Sequence, residues 1–235
     1  MGRVGRVGQV GRVGRTARWA AWFCRPGLPG LSALAGLVAL ALLGATACSS
    51  RPPDEPKDYA AKIAADRAGK DALFAASDDP VPRSRHKDLL PLSYFPIDPE
   101  YNVPGVLKRV SDATVFEMPT STGTKRQMRR VGSLEFTLKE RPLKLTVFVE
   151  VADPNHLFIA FNDLTSGTET YPAGRYLDIE PNSTGIYEID FNRAYNPYCY
   201  YNLSYECPYP PPENRLKTPI RAGERMKKFE AGSAK

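Results

Sequence analysis

Leu143–Val151 reads LKLTVFVEV, and its alternation decides the fold class. Side chains of an extended chain alternate sides with a period of two, so Leu143, Leu145, Val147, Val149 and Val151 share one face. Working outward, Leu134, Phe136 and Leu138 alternate in the same way with Glu135, Thr137 and Lys139. Thr114–Met118 and Gln127–Val131 flank a Pro-Thr-Ser-Thr-Gly-Thr spacer, which predicts a hairpin. His156–Phe161, Arg175–Ile179 and Ile186–Phe191 supply further strands, and Leu92–Pro96 a short extended entry. Short strands, frequent turn signals and a single clear helix predict a mainly β domain, an antiparallel barrel or a sandwich. Periodicity does not choose between those two.

The helix precedes the strands. Asp58–Ser77 (DYAAKIAADRAGKDALFAAS) is Ala-rich, with Tyr59, Ile63 and Phe74 as a narrow apolar stripe. Asp78-Asp79-Pro80 stops it, giving a helical segment 58–79 that lies on the domain rather than forming one. The β-rich domain then runs over 80–226. From Pro197 onward, Pro208, Pro210, Pro211 and Pro212 forbid regular ladders, so this stretch is a long Pro/Tyr-rich excursion. Residues 227–235 read as a solvated, disordered tail.

The beginning of the chain has a different character. Leu31–Leu43 (LSALAGLVALALL) is apolar, follows Arg25 and precedes Gly44-Ala45-Thr46-Ala47-Cys48. A basic region, a short apolar stretch and small residues at a cleavage point are the parts of a secretory signal peptide, here 1–47. The run is short of the roughly 20 residues a membrane helix needs. The segment resembles a bacterial lipoprotein signal, in which the cysteine becomes the acylated (palmitate-type) first residue of the mature chain. Ala45 stands where that motif usually has Leu, and Ala45-Thr46-Ala47 also fits ordinary signal cleavage. Cys48 is explained by lipidation alone, and 48–57 forms a polar tether behind it. Each buried acyl CH₂ adds about 0.8 kcal/mol of membrane affinity, so two or more chains anchor stably.

Charge follows from this division. The chain carries 32 basic and 26 acidic residues, and six of the basic ones lie in 1–47 with no acid beside them. The mature part is therefore formally neutral, which removes the electrostatic case for a nucleic-acid partner. The remaining chain is long enough to bury about 70% of its unfolded surface in one core.

Two stretches can carry chemistry. In Phe161–Asp178, Asp163 and Arg175 flank a loop holding Thr165, Ser166, Thr168, Thr170 and Tyr171, with Gly167 and Gly174 permitting tight turns. Hydroxyls near a guanidinium suit an anionic or polyhydroxyl ligand; equally, Asp163 and Arg175 can pair across the loop base while the hydroxyls satisfy its backbone. Ser166 lacks the surroundings of a nucleophile elbow. In Asp190–Arg215, six of the twelve tyrosines fall between Tyr195 and Tyr209, among Asn192, Asn196, Glu213 and Asn214. Such rings suit stacking on a sugar, or a loop building its own small core. Cys199 and Cys207 are eight apart, a spacing that outside the cytoplasm points to a disulfide worth roughly 2–3 kcal/mol. A metal site or a cysteine nucleophile are the rivals, and His86 and His156 have no ligand spacing to either cysteine.

Two blocks carry a resemblance. The first is Phe161–Gly167, Thr170-Tyr171 and Gly174–Asp178; the second is Asp190–Cys199, Cys207-Pro208, Pro211–Leu216 and Ile220–Glu224. Together they resemble the bacterial and archaeal domain-of-unknown-function family 1684, over about Asp58–Arg225. The resemblance implies a shared fold and supplies no activity and no cofactor.

The expectation is a lipid-anchored protein on the extracytoplasmic side of the envelope, whose β-rich domain binds a polar small molecule or glycan. Its pocket would lie between the Thr165–Arg175 loop and the Asn192–Arg215 excursion. A hydrolase using Asp163, Arg175 and Cys199 or Glu213 in that cleft is the second reading, and a structural or protein-interaction module the third.

Overall fold

Around LKLTVFVEV the chain builds a single antiparallel sheet, seen in a computed structural model that describes residues 56–111 and 114–227. The strands are β1 (Asn102–Arg109), β2 (Val115–Pro119), β3 (Lys125–Leu138), β4 (Arg141–Glu150), β5 (Asp153–Phe161), β6 (Arg175–Ile179) and β7 (Ile186–Asp190). Their order is β6-β5-β4-β3-β1-β7, with β2 paired to β3. The sheet curls into a half-barrel, with one N-terminal helix and little other helix. The mainly β expectation holds, and the hairpin forms in register, Val115 opposite Arg129 and Pro119 opposite Lys125.

One irregularity lets the sheet serve two cores. Met128 and Leu134 lie an even number of residues apart, so a regular strand would put them on the same face. A bulge between Arg130 and Gly132 shifts the register and inverts that parity. Leu134, Phe136 and Leu138 thus join Leu145, Val147, Ile159 and Leu177 on the first face. Met128 joins Met118, Phe148, Phe158, Ala160 and Tyr176 on the second. The excursion covers this second face with Cys199 and Cys207, so Phe148 is fully buried although its strand alternates. Each such side chain contributes about 1.5–3 kcal/mol by leaving water.

Strand β1 is an addition to the expected set. Pro104-Gly105 breaks its pattern, yet it lies between β3 and β7 in the sheet. Gly105 is required there by close approach: a Cβ on it would sit 2.4 Å from Ile189 Cδ1.

Helix α1 (Pro56–Ala76) lies against the sheet unit through a few fasteners. Ile63 and Phe74 are its buried apolar residues, as the stripe implied. Arg67 donates to the carbonyls of Phe95 and Asn192, and the Asp71 carboxylate accepts from Leu92 N. The one-turn helices α2 (His86–Leu89) and α3 (Tyr198–Tyr201) follow. No helix among the described residues is long and apolar enough to cross a membrane. The signal segment 1–47, Cys48, the tether to residue 55 and the tail from 228 lie outside the described residues.

Candidate functional site

The loop between β5 and β6 spends its polar groups on itself. Asp163 Oδ1 accepts from Thr165 N at 2.7 Å, from Thr165 Oγ1 at 2.6 Å and from Ile220 N at 3.2 Å. Its Oδ2 accepts from Arg175 Nη2 at 2.9 Å. Thr165 Oγ1 has given its proton to Asp163, so Thr170 Oγ1, 2.9 Å away, is the donor between the two threonines. Ser166 Oγ accepts from Asp163 N, and Thr168 Oγ1 donates to Thr165 O. Gly167 and Gly174 take the positive φ values, +86° and +90°, that their turns need.

Arg175 meets Asp163 as its place at the loop base implied, but its guanidinium does not face the tyrosine-rich excursion. It is capped by the 220–224 segment: Nη1 donates to Ala222 O and Glu224 O, and Nη2 to Ile220 O as well as Asp163. Phe95 and Phe161 rings lie 5.9 and 5.4 Å from its Cζ. Burial lowers the guanidinium's affinity for its proton, and the Asp163 carboxylate opposes that. Both side chains are closed to solvent, and the pair fastens the loop base to the 220–224 segment.

The asparagines are fasteners too. Strands β4 and β5 pair at Phe148 with Phe158 and at Glu150 with Asp153. At Thr146 the Asn214 amide takes over: Oδ1 accepts from Thr146 N, and Nδ2 donates to Thr146 O and Ala160 O. A side chain thus supplies the partners a neighbouring strand would give. Asn192 joins Asp98 N and O to Tyr59 Oη. Asn196 differs: its backbone N–H donates to Glu224 Oε2, while its side-chain Oδ1 is buried with no partner among the described residues. Tyr195 Oη donates to Asp178, and the exposed Glu213 pairs with Arg130. The Asp163, Arg175, Cys199 and Glu213 set of a hydrolase does not converge: Arg175 shares its face with Leu177 and Phe161, whereas the cysteines lie on the face of Tyr176.

What the loop and the excursion do bring together is a sulfur site. Tyr171 closes the loop, its ring 5.4 Å from that of Tyr200. The excursion is stitched to the β2–β3 hairpin: Ser121 N donates to Cys207 O, Cys207 N to Ser121 Oγ, Tyr209 N to Pro119 O, and Arg126 Nη2 to Glu206 O. Tyr176 Oη donates to Pro208 O at 2.5 Å. These bonds carry Cys207 to Cys199, whose backbone N–H donates to Cys207 Sγ at 3.1 Å. Both thiols are free and buried.

Their surroundings favour ionisation of one of them. The neighbouring Cys207 thiol foremost, with Tyr171 packed in the same cluster, holds the Cys199 thiol below the ordinary range, against the opposing effect of burial. The Ser121 hydroxyl, which accepts from Cys207 N, gives its own hydrogen to Tyr205 O. Cys207 is pushed up, first by the neighbouring Cys199 thiol and then by burial. The pair thus shares one negative charge readily, on Cys199, and resists a second. Ser121 was not among the residues singled out from the sequence, and Arg126, whose basic run with Lys125, Arg129 and Arg130 reads as a solvated hairpin edge, is buried instead against the excursion. The hydroxyls of their hairpin read as turn chemistry, and only long-range pairing brings them to the cysteines. Glu224 was likewise missed as a site residue: it is buried, accepting from Tyr201 Oη and Lys70 Nζ, each at 2.5 Å.

Comparison with known proteins agrees with this architecture. Residues 87–225 match the family described as "Protein of unknown function (DUF1684)". Among solved structures, the chain is similar to the solution NMR structure of an uncharacterised protein from Haloarcula marismortui. That protein is 34% identical over 72% of this chain and 95% of its own, with a TM-score of 0.58. No curated protein matches.

Proposed function

The chain belongs to the DUF1684 family, and on that premise we propose that it is an exported, lipid-anchored envelope protein whose family domain takes a small polar molecule at the seam between Tyr171 and Cys199. The observation that carries the site is the meeting of two free, buried cysteines, Cys199 N donating to Cys207 Sγ at 3.1 Å, with Tyr171 packed against them. A sulfur whose charge its neighbours already favour meets a ligand with little reorganisation. The ligand site expected between the Thr165–Arg175 loop and the excursion thereby contracts to the one place where those two segments meet. Glycan binding would use the rings of Tyr171 and Tyr200.

Anchoring rests on the signal-like segment ending at Cys48. Intact-mass measurement of the mature N-terminus tests it: an acylated Cys48 is expected, and an unmodified one removes the lipoprotein reading while leaving export standing. The seam is tested by iodoacetamide labelling of the mature protein under a panel of polar small molecules and oligosaccharides. Labelling of Cys199, slowed by a ligand that also raises the melting temperature, is expected. A Cys199 that stays unlabelled in the folded protein would overturn the seam.

A further inference from the structure

Cys199 and Cys207 come together by construction. Cys199 sits on α3, a single turn begun by Pro197. Cys207 is held by the hairpin through Ser121 on both its N–H and its carbonyl. The separation in sequence is short, so the chain joins the cysteines without threading past other elements. Cys207 Sγ already accepts from Cys199 N at 3.1 Å, and both thiols are free and buried in one cluster. Tyr176, Phe148 and Phe158 fill the rest of that face around the two sulfurs.

We infer that the Cys199–Cys207 pair exchanges with low-molecular-weight disulfides, cycling between a dithiol and an internal disulfide. The inference rests on the seam proposed above and names its substrate class. Cys199 loses its proton and its sulfur attacks one sulfur of R–S–S–R′, forming a Cys199–S–S–R bond and releasing R′–S⁻, which takes up that proton. Cys207 then loses its proton and attacks the Cys199 sulfur, forming the internal bond and releasing R–S⁻, which is protonated in turn. The two cysteines are oxidised by two electrons and the substrate disulfide is reduced to two thiols. No further reagent enters.

Roles divide along the geometry. Cys199, packed in one cluster with Tyr171, has the thiol that its neighbours hold toward the thiolate, which suits the attacking sulfur. Cys207, fixed beside it, suits the resolving one. Substrate size follows from access: Cys199 is 2% exposed under Tyr171, so the disulfide of a folded protein does not reach it. Tyr171 itself is half-buried, at the end of a loop, and its ring is the group that must give way.

The experiment equilibrates the mature protein with graded mixtures of reduced and oxidised glutathione, quenches with alkylating reagent and maps peptides without reduction. A link between Cys199 and Cys207 that forms and reverses with the ratio is expected, with the loss of two hydrogens in intact mass. Cys207→Ser should trap glutathione on Cys199 roughly tenfold faster than Cys199→Ser traps it on Cys207. Thermal melts confirm that each variant is folded, and the wild-type titration decides the case where one is not. Two alkylatable thiols at every ratio, in protein whose Cys199 accepts iodoacetamide, would overturn the exchange and leave the seam in place. A Cys199 closed even to iodoacetamide removes both.

Discussion

The Asp163 carboxylate and the Arg175 guanidinium meet at 2.9 Å with neither side chain open to water. Two ions taken into a protein interior cost several kcal/mol each unless every remaining lone pair and proton finds a partner. Here nearly all do: Asp163 accepts four hydrogen bonds and the Arg175 Nη atoms give three more to carbonyls, which leaves Nε alone without a partner. Arg175→Lys keeps the charge and loses the fork, leaving carbonyls of the 220–224 segment unpaired. Breaking a buried pair costs about 3–5 kcal/mol, and the conservative change should approach the lower end. Urea unfolding should show that loss with iodoacetamide labelling of Cys199 unchanged in the folded fraction. A variant as stable as the parent would contradict the fastener reading.

Which parts were legible follows from the range of the interactions. LKLTVFVEV declared its strand because one face is buried, and the hairpin declared itself through a local turn. Asp163 and Arg175 were legible as a pair because both adjoin ends of neighbouring strands. Strand β1 was not, since Pro104-Gly105 breaks the local pattern and is tolerated only through contacts with β7. The inversion at the β3 bulge was hidden for a similar reason: it matters only once the excursion covers the second face. Asn214 looked like a ligand residue because its partners, Thr146 and Ala160, are far away in sequence.

Helix α1 precedes the stretch that matches the family, and it is held by contacts more than by apolar area. Lys70 Nζ reaches Glu224 and stands 5.0 and 5.3 Å from the rings of Tyr195 and Phe74. Lys70→Ala should therefore loosen the helix without unfolding the sheet. Hydrogen exchange is expected to quicken in 56–76 by roughly tenfold or more, the equivalent of about 1.4 kcal/mol, with β3 and β4 unchanged. Uniform quickening through the sheet would mean that helix and sheet are one cooperative unit.

His156 supplies a pH dependence. Its Nε2 lies 3.0 Å from Asp178 Oδ1, and that hydrogen bond raises its pKa above the ordinary imidazole range despite partial burial. A group whose folded pKa is raised stabilises the fold fully below its unfolded value, about 6.5. That contribution fades as pH rises through the folded pKa. His156→Gln should therefore cost more stability at about pH 5.5 than at about pH 8.5. A stability difference from the parent that does not vary with pH would show that the pair carries no proton linkage.

Tyr171 tests the sulfur site from outside the cysteines. Its side chain packs against the cysteine cluster and holds the Cys199 thiol down, while burial followed by that neighbouring thiol pushes its own pKa up, so the hydroxyl keeps its proton throughout the range where Cys199 ionises. Tyr171→Phe keeps the ring against Tyr200 and removes only the hydroxyl. The rate of iodoacetamide labelling follows the thiolate, so its pH profile reads the Cys199 ionisation directly. Without the hydroxyl the midpoint should move to higher pH, and labelling at neutral pH should slow. The melting temperature should change little, because the lost group lies in a half-buried loop. Tyr171→Ala is the control for access: it removes hydroxyl and ring together, so it should raise the midpoint as Tyr171→Phe does while speeding labelling at high pH, where the thiol is already ionised. An unchanged midpoint in both variants would mean that the Cys207 thiol alone sets the ionisation of Cys199. Tyr171 would then be packing, and the seam would lose the group that distinguishes it from a buried pair of cysteines.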